Sequence, residues 1–181
     1  MREIIIAPVA EAPHDSNATD LVEKQFHQDP NHPLFARQLQ PGVWTDVSAE
    51  EFREDAKTLA RAFAAAGIEP GDSVAIMSPT RYEWTLVDLA IMYAGAVTVP
   101  IYETSSPSQV AWILEDSQVK AAIVEKAEHV RVVQTALDRE SLPKLNGLWI
   151  MDEGLDDLRT LAVNGPDPEE MEQRRLIFFI D

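Results

Sequence analysis

The side chains with chemistry to offer gather in one stretch, Asp72 to Ser106, which reads DSVAIMSPTRYEWTLVDLAIMYAGAVTVPIYETSS. Arg81, Tyr82 and Glu83 fall just past a short apolar run, Val74 to Met77. If that run is a strand of an open parallel sheet, its carboxyl end is the edge at which such sheets bind ligands. Asp88 is a lone carboxylate in an apolar segment. It is either a substrate-site carboxylate or an Asp hydrogen-bonded to neighbouring backbone or a Tyr hydroxyl, and the apolar surroundings favour the second. His27 and His32 lie close together without a third ligand in any metal-binding pattern, so they read as solvated surface residues. Gly67 and Gly71 flank Pro70, but their turn joins a helix end to a strand and no Lys follows. A phosphate loop has the opposite polarity, so the turn reads as a helix C-cap. There is no G-x-S-x-G elbow, no His paired with a nucleophile and no cysteine, which excludes disulfides, thiolate metal sites and a thiol nucleophile.

The elements that must position these groups follow from periodicity. The apolar runs Val74–Met77 and Val97–Ile101 lie about twenty residues apart around an apolar segment, Arg81 to Ala94, that Gly95 stops. That is a strand, helix, strand crossover with parallel strands buried on both faces. Thr80 with Glu83 predicts a capping box opening the central helix, which has almost no polar face and is therefore buried nearly all round. Ser48 with Glu51 predicts another, with Val47 stapled on Phe52 and an apolar stripe through Ala56, Leu59, Ala60, Phe63 and Ala64. Ser106, Pro107 and Gln109 predict a third helix start. Strands at Lys120–Val124 and Leu148–Met151 enclose a helix over Ala127–Leu137. Upstream, Leu21, Val22 and Phe26 form one helical stripe, and Phe35–Leu39 pairs with Val43–Val47 as a hairpin about Pro41-Gly42. Downstream, a short helix follows near Leu155–Ala162 and a solvated one over Pro166–Arg175. The fold class is α/β, a mostly parallel sheet with flanking helices.

Composition narrows the function. With 181 residues, 45% hydrophobic and 25% charged, the chain is long enough to bury a core. Its 15 basic against 31 acidic residues give a charge of -16, which repels nucleic-acid phosphates and anionic lipid headgroups. The opening MREIIIAPVAEAPHD has too short an apolar run for a secretion signal and reads as a leading strand or loose arm, an amino-terminal arm over residues 1–18. No run approaches the ~18 residues of a membrane span. The domain then covers 19–175, and LIFFID leaves an atypical apolar tail at 176–181.

The strings GVWTDVSAEEF, GIEPGDSVAIMSPTRYEWTLVDLAIMYAGAVTVPIYETSS and SQVAWILEDSQVKAAIVE resemble the amino-terminal region of the adenylate-forming acyl-CoA synthetases. PIYETSS is most similar to the long-chain fatty acid ligases of that superfamily. The resemblance implies a partial amino-terminal domain of an adenylate-forming enzyme. In the complete enzyme a fatty carboxylate attacks the α-phosphate of ATP to give an acyl-adenylate and pyrophosphate, and the thiol of coenzyme A then displaces AMP. ATP, Mg2+ and coenzyme A are the implied cofactors, none of them bound tightly by this chain. The location implied is cytoplasmic or peripheral at the membrane. Tyr102, Glu103, Thr104 and Ser105 match the shared motif and are the candidates to border the acyl or nucleotide site, with a turn-and-cap role as the alternative.

No catalytic or metal-ligating residue carries over. The family's YTSGTTG-x-PKG loop, its later acidic residue for ribose and Mg2+, and the Lys of its carboxyl-terminal domain do not occur in these residues. The expectation is a synthetase truncated near Leu176 by a frame change or early stop, inactive alone and able to associate with the missing half. The competing readings are a non-catalytic binding or regulatory module that associates with a ligase, and an unrelated nucleotide-binding α/β domain.

Overall fold

The computed structural model describes residues 16–138, 142 and 144–177. The leading arm up to residue 15 and the tail from 178 fall outside them. Helix α1 (Thr19–Gln28) is followed by the antiparallel hairpin β1 (Pro33–Gln40) and β2 (Val43–Ser48), then α2 (Ala49–Ala65). Four strands alternate with three helices after that: β3 (Ser73–Met77), α3 (Tyr82–Tyr93), β4 (Val97–Ile101), α4 (Pro107–Asp116), β5 (Ala121–Val124), α5 (Ala127–Leu137) and β6 (Gly147–Ile150). Helices α6 (Asp156–Leu161) and α7 (Pro168–Leu176) close the described chain. The strands β3 to β6 form one parallel sheet in the order β4-β3-β5-β6.

Strand alternation divides the core in two. Val74 and Ile76 of β3 and Ala121 and Ile123 of β5 face the aliphatic and aromatic side chains of α2 and α3. Ala75, Met77, Ala122 and Val124 face α4 and α5 on the other side. Both faces are covered, which is why these strands read as unbroken apolar runs rather than alternating ones.

The Ser48 box forms as expected: Ser48 Oγ accepts from the Glu51 amide at 3.2 Å and Glu51 Oε2 accepts from the Ser48 amide at 2.9 Å. The Ser106–Gln109 box forms too, with Pro107 in the first turn. The Thr80–Glu83 box does not. Arg81 is the N-cap of α3, extended and without a side-chain cap, so Glu83 stands one position too early, and its carboxylate accepts from Arg81 Nε at 2.6 Å instead. The stripe on α1 is narrower than expected, because Val22 is buried while Leu21 is 72% exposed. Helix α7 departs furthest from its expected solvated character. Met171 and Arg175 are both buried, and Arg175 donates to Thr19 Oγ1 and Asp20 on α1.

These arginine contacts belong to a clasp at the amino ends of the strands. Glu23 of α1 accepts from Arg53 Nε at 2.9 Å and from the Tyr93 hydroxyl at 3.0 Å, with Lys57 at 3.5 Å. Burial alone would raise the Glu23 carboxyl, but Arg53, Lys57 and Tyr93 outweigh it and hold it below its ordinary value. Asp20 is likewise held low, with burial opposed by the Asn17 amide and Arg175. Both groups therefore add stability at pH values above the ordinary carboxyl range, and that contribution fades as pH falls from the unfolded value of 4.5 for Glu toward the lowered folded one. Glu23→Gln is expected to flatten the acid limb of a stability-against-pH curve from urea melts below about pH 5, and a limb as steep as the wild type's would contradict this origin.

Gly95 marks a second constraint. It has φ +75° and a Cβ there would stand 2.5 Å from the Arg174 carbonyl oxygen of α7. Gly95→Ala is expected to cost about 2 kcal/mol or more in chemical denaturation, since it meets an αL penalty and a backbone clash together.

Candidate functional site

The geometry that matters lies at the carboxyl ends of the strands. From β3 the chain leaves toward the α2–α3 face, whereas from its neighbours β4 and β5 it leaves toward the α4–α5 face. Chains that part to opposite faces leave a crevice between adjacent strand ends, which is where open α/β sheets bind ligands. Here the end of β3 has such a crevice on each side.

The crevice between β3 and β4 is open. It holds about 410 Å3, with Ser78, Pro79, Thr80 and Trp84 on one wall and Pro100, Ile101, Tyr102 and Glu103 on the other. Ser78 is buried, and its hydroxyl donates to the Pro79 carbonyl at 2.9 Å, holding the turn after β3. Tyr102 stands at the rim, 83% exposed. The structure places Tyr102 and Glu103 on the crevice, while Thr104 and Ser105 belong to the turn that leads into α4. The Ser105 amide donates to the Tyr102 carbonyl at 3.0 Å there, one residue before the Ser106 cap.

The crevice between β3 and β5 is closed by charge. Arg81 Nη1 lies 2.6 Å from Asp152 Oδ1 beyond β6 and 3.7 Å from Glu125 Oε1 beyond β5, while its Nε holds Glu83. Burial disfavours the guanidinium's charge, but Glu83 and Asp152 outweigh it and raise Arg81 above the ordinary arginine value. Beside it Tyr82 is packed at 6.0 Å from Phe35 and 6.2 Å from Phe52, and burial pushes its hydroxyl up to about 12, so it is a neutral phenol at physiological pH.

Asp88 takes neither of the partners anticipated for it. It lies half-buried on the edge of α3 formed by Trp84, Asp88 and Met92, facing Thr98 of β4. Burial raises its carboxyl, and the buried Thr98 hydroxyl across the groove makes no hydrogen bond to any described residue. Trp84, Met92, Val97 and Pro100 make the rest of this groove apolar, and it meets the open crevice at Trp84 and Pro100. Trp84 and Pro100 escaped notice as site residues because each reads as core. Only the reversal of chain direction about β3 shows that they share a crevice.

His27 and His32 are both exposed. Among the described residues no group of three or more His, Cys, Asp or Glu is disposed to hold a metal ion. No helix of the described residues is long and apolar enough to cross a membrane.

Sequence and fold comparisons bear on this edge. The family described as AMP-binding enzyme matches residues 22–179. The long-chain-fatty-acid–CoA ligase FadD15 of Mycobacterium tuberculosis is 39% identical over 178 residues, covering 96% of this chain and 29% of the relative. Its Mycobacterium bovis counterpart matches equally, so the chain spans 29% of the length of these relatives. Among solved structures, the amino-terminal domain of FACL13 from Mycobacterium tuberculosis superposes with a TM-score of 0.69 at 23% identity, over 85% of this chain and 38% of that one. A Mycobacterium tuberculosis fatty acyl CoA synthetase gives 0.66 at 23%, over 81% and 28%. The parallel sheet with flanking helices is therefore the fold of the amino-terminal part of such ligases.

Arg81→Met removes the cation shared by three carboxylates and is expected to lower stability by about 1 to 2 kcal/mol at low salt. Urea melts at low and high ionic strength check this, because screening must shrink the loss. An equal loss at both would assign it to packing of the arginine stem.

Proposed function

The chain belongs to the AMP-binding enzyme family, and we propose that it forms the amino-terminal part of the adenylate-forming region of a long-chain fatty acid–CoA ligase. The observation that carries this reading is the 39% identity to FadD15 across 96% of the chain. The reaction is ATP-dependent activation of a fatty carboxylate as its acyl-adenylate, followed by transfer to coenzyme A. Residues 19–175 are the structural unit, and its location is the cytoplasm, at the membrane surface when acting on fatty acids.

What these residues contribute is an edge rather than a reacting group. Tyr102, Glu103, Thr104 and Ser105 border the acyl or nucleotide site: Tyr102 and Glu103 as crevice wall, Thr104 and Ser105 by setting the turn that holds them there. The buried Ser78, the Pro79 turn and Trp84 form the facing wall. ATP, Mg2+ and coenzyme A are engaged chiefly by parts of the ligase other than these residues, and the 181-residue chain does not form adenylate by itself.

Two measurements test the reading. In the ligase that carries this segment, Tyr102→Ala is expected to lower kcat/KM for oleate about tenfold or more while leaving stability within ~0.5 kcal/mol, because the side chain is exposed. Unchanged turnover would remove Tyr102 from the site. ATP–pyrophosphate exchange with oleate by the 181-residue chain is expected to be absent, and detectable exchange would refute its inactivity.

The β4 edge supports a second reading, in which the chain acts as a non-catalytic module that associates with a ligase. Val97 is 47% exposed on this outermost strand, beside the apolar groove of Trp84, Met92 and Pro100. An edge of this kind invites pairing with another segment.

A further inference from the structure

The closed crevice contains a side chain with no part in the site described so far. His129 stands in the first turn of α5 and is 6% exposed. Its Nδ1 is buried and makes no hydrogen bond to any described residue, and it lies 3.9 Å from Glu125 Oε2. Buried ring nitrogens are normally paired, so a gap of this size facing a carboxylate calls for a cause.

The surroundings supply it. Glu125 is drawn from its other side by Arg81, at 3.7 Å, and Arg81 in turn is held by Glu83 and Asp152. The remaining charges on the same element are exposed: Lys126 and Glu128 pair with each other at 3.4 Å, and Arg131 lies two residues beyond His129. From the elements that face α5, the turn after β6 brings Asp152 and the exposed Glu153, the first turn of α6 brings the exposed Asp156 and Asp157, and α4 brings Glu115 and Asp116, exposed in its last turn. Glu125 is thus the carboxylate within reach of the ring.

We propose that His129 is a positioning residue, whose doubly protonated ring donates from Nδ1 to Glu125 and through Glu125 and Arg81 steadies the Ser78–Arg81 turn that walls the open crevice. The proton comes from solvent and returns to it, and no other bond is made or broken. A charge-assisted hydrogen bond of this kind is stronger than a neutral one. It ties the first turn of α5 to the end of β5 and leaves Arg81 anchored by a carboxylate that no longer swings. The consequence for substrate rests on reading the crevice as the acyl or nucleotide site. The latch itself is a property of these residues alone.

The test is amide hydrogen exchange by mass spectrometry on the 181-residue chain between pH 5 and pH 8, corrected for intrinsic rates, with His129→Gln and Glu125→Gln beside the wild type. Peptides covering Ser78–Trp84 and Lys126–Val130 are expected to be about fivefold more protected at pH 5 than at pH 8 in the wild type. Both substitutions are expected to abolish that increment. A flat wild-type profile overturns the proposal without need of either variant, as does an increment that survives His129→Gln. Neither result depends on turnover, so failure of the latch is distinguishable from failure of the crevice as a substrate site, which Tyr102→Ala reads.

Discussion

Burial of β3 on both faces is the constraint from which the rest of the structure follows. A central parallel strand has no wet side, so Val74–Met77 must be apolar throughout and helices must cover it above and below. Covering both faces requires the chain to part in opposite directions at neighbouring strand ends. Two crevices result at one edge, and the sequence at that edge treats them differently. Arg81 and its carboxylates fill one, while Pro79, Pro100 and Tyr102 keep the other open. The open crevice is a by-product of how the sheet is wound, furnished afterwards by side chains.

The opposite end of the sheet shows how this arrangement is kept rigid. Helices α1, α2, α3 and α7 meet there through Glu23, Arg53, Tyr93, Arg175 and Asp20, with Gly95 allowing α7 backbone close to the start of β4. Ion pairs that are partly buried and share hydrogen bonds contribute more to geometry than to net stability. The clasp and the crevice lie at opposite strand ends, joined by the helices packed along the sheet.

Much of the fold was legible because local signals agreed with one another. Ser48–Glu51 and Ser106–Gln109 are boxes whose spacing alone determines their hydrogen bonds, and the apolar runs of β3 and β5 are too short for helices. The departures arise where a polar group has a second partner on offer. Glu83 is taken by Arg81, two residues before it, rather than by a cap, and Arg175 is drawn in by Asp20, 155 residues away, rather than left to solvent. The site was legible only in outline. Tyr102 could be located by motif and by its place after a strand, but its sharing of a crevice with Trp84 depends on strand order, which no local pattern encodes, and the four-residue spacing of Glu125 and His129 gives no sign that Arg81 reaches the same carboxylate.

The inward turning of the arginines has an electrostatic consequence. Arg53, Arg61, Arg81, Arg159, Arg174 and Arg175 are all engaged with carboxylates or backbone carbonyls of the fold itself. With much of the positive charge committed to internal contacts, a chain of formal charge -16 presents to solvent a surface dominated by carboxylates. Any anionic ligand would approach this part of the molecule against its field. Encounter with such anions is then hindered rather than steered, and added salt relieves the hindrance, the reverse of the dependence seen when a basic surface draws its ligand in.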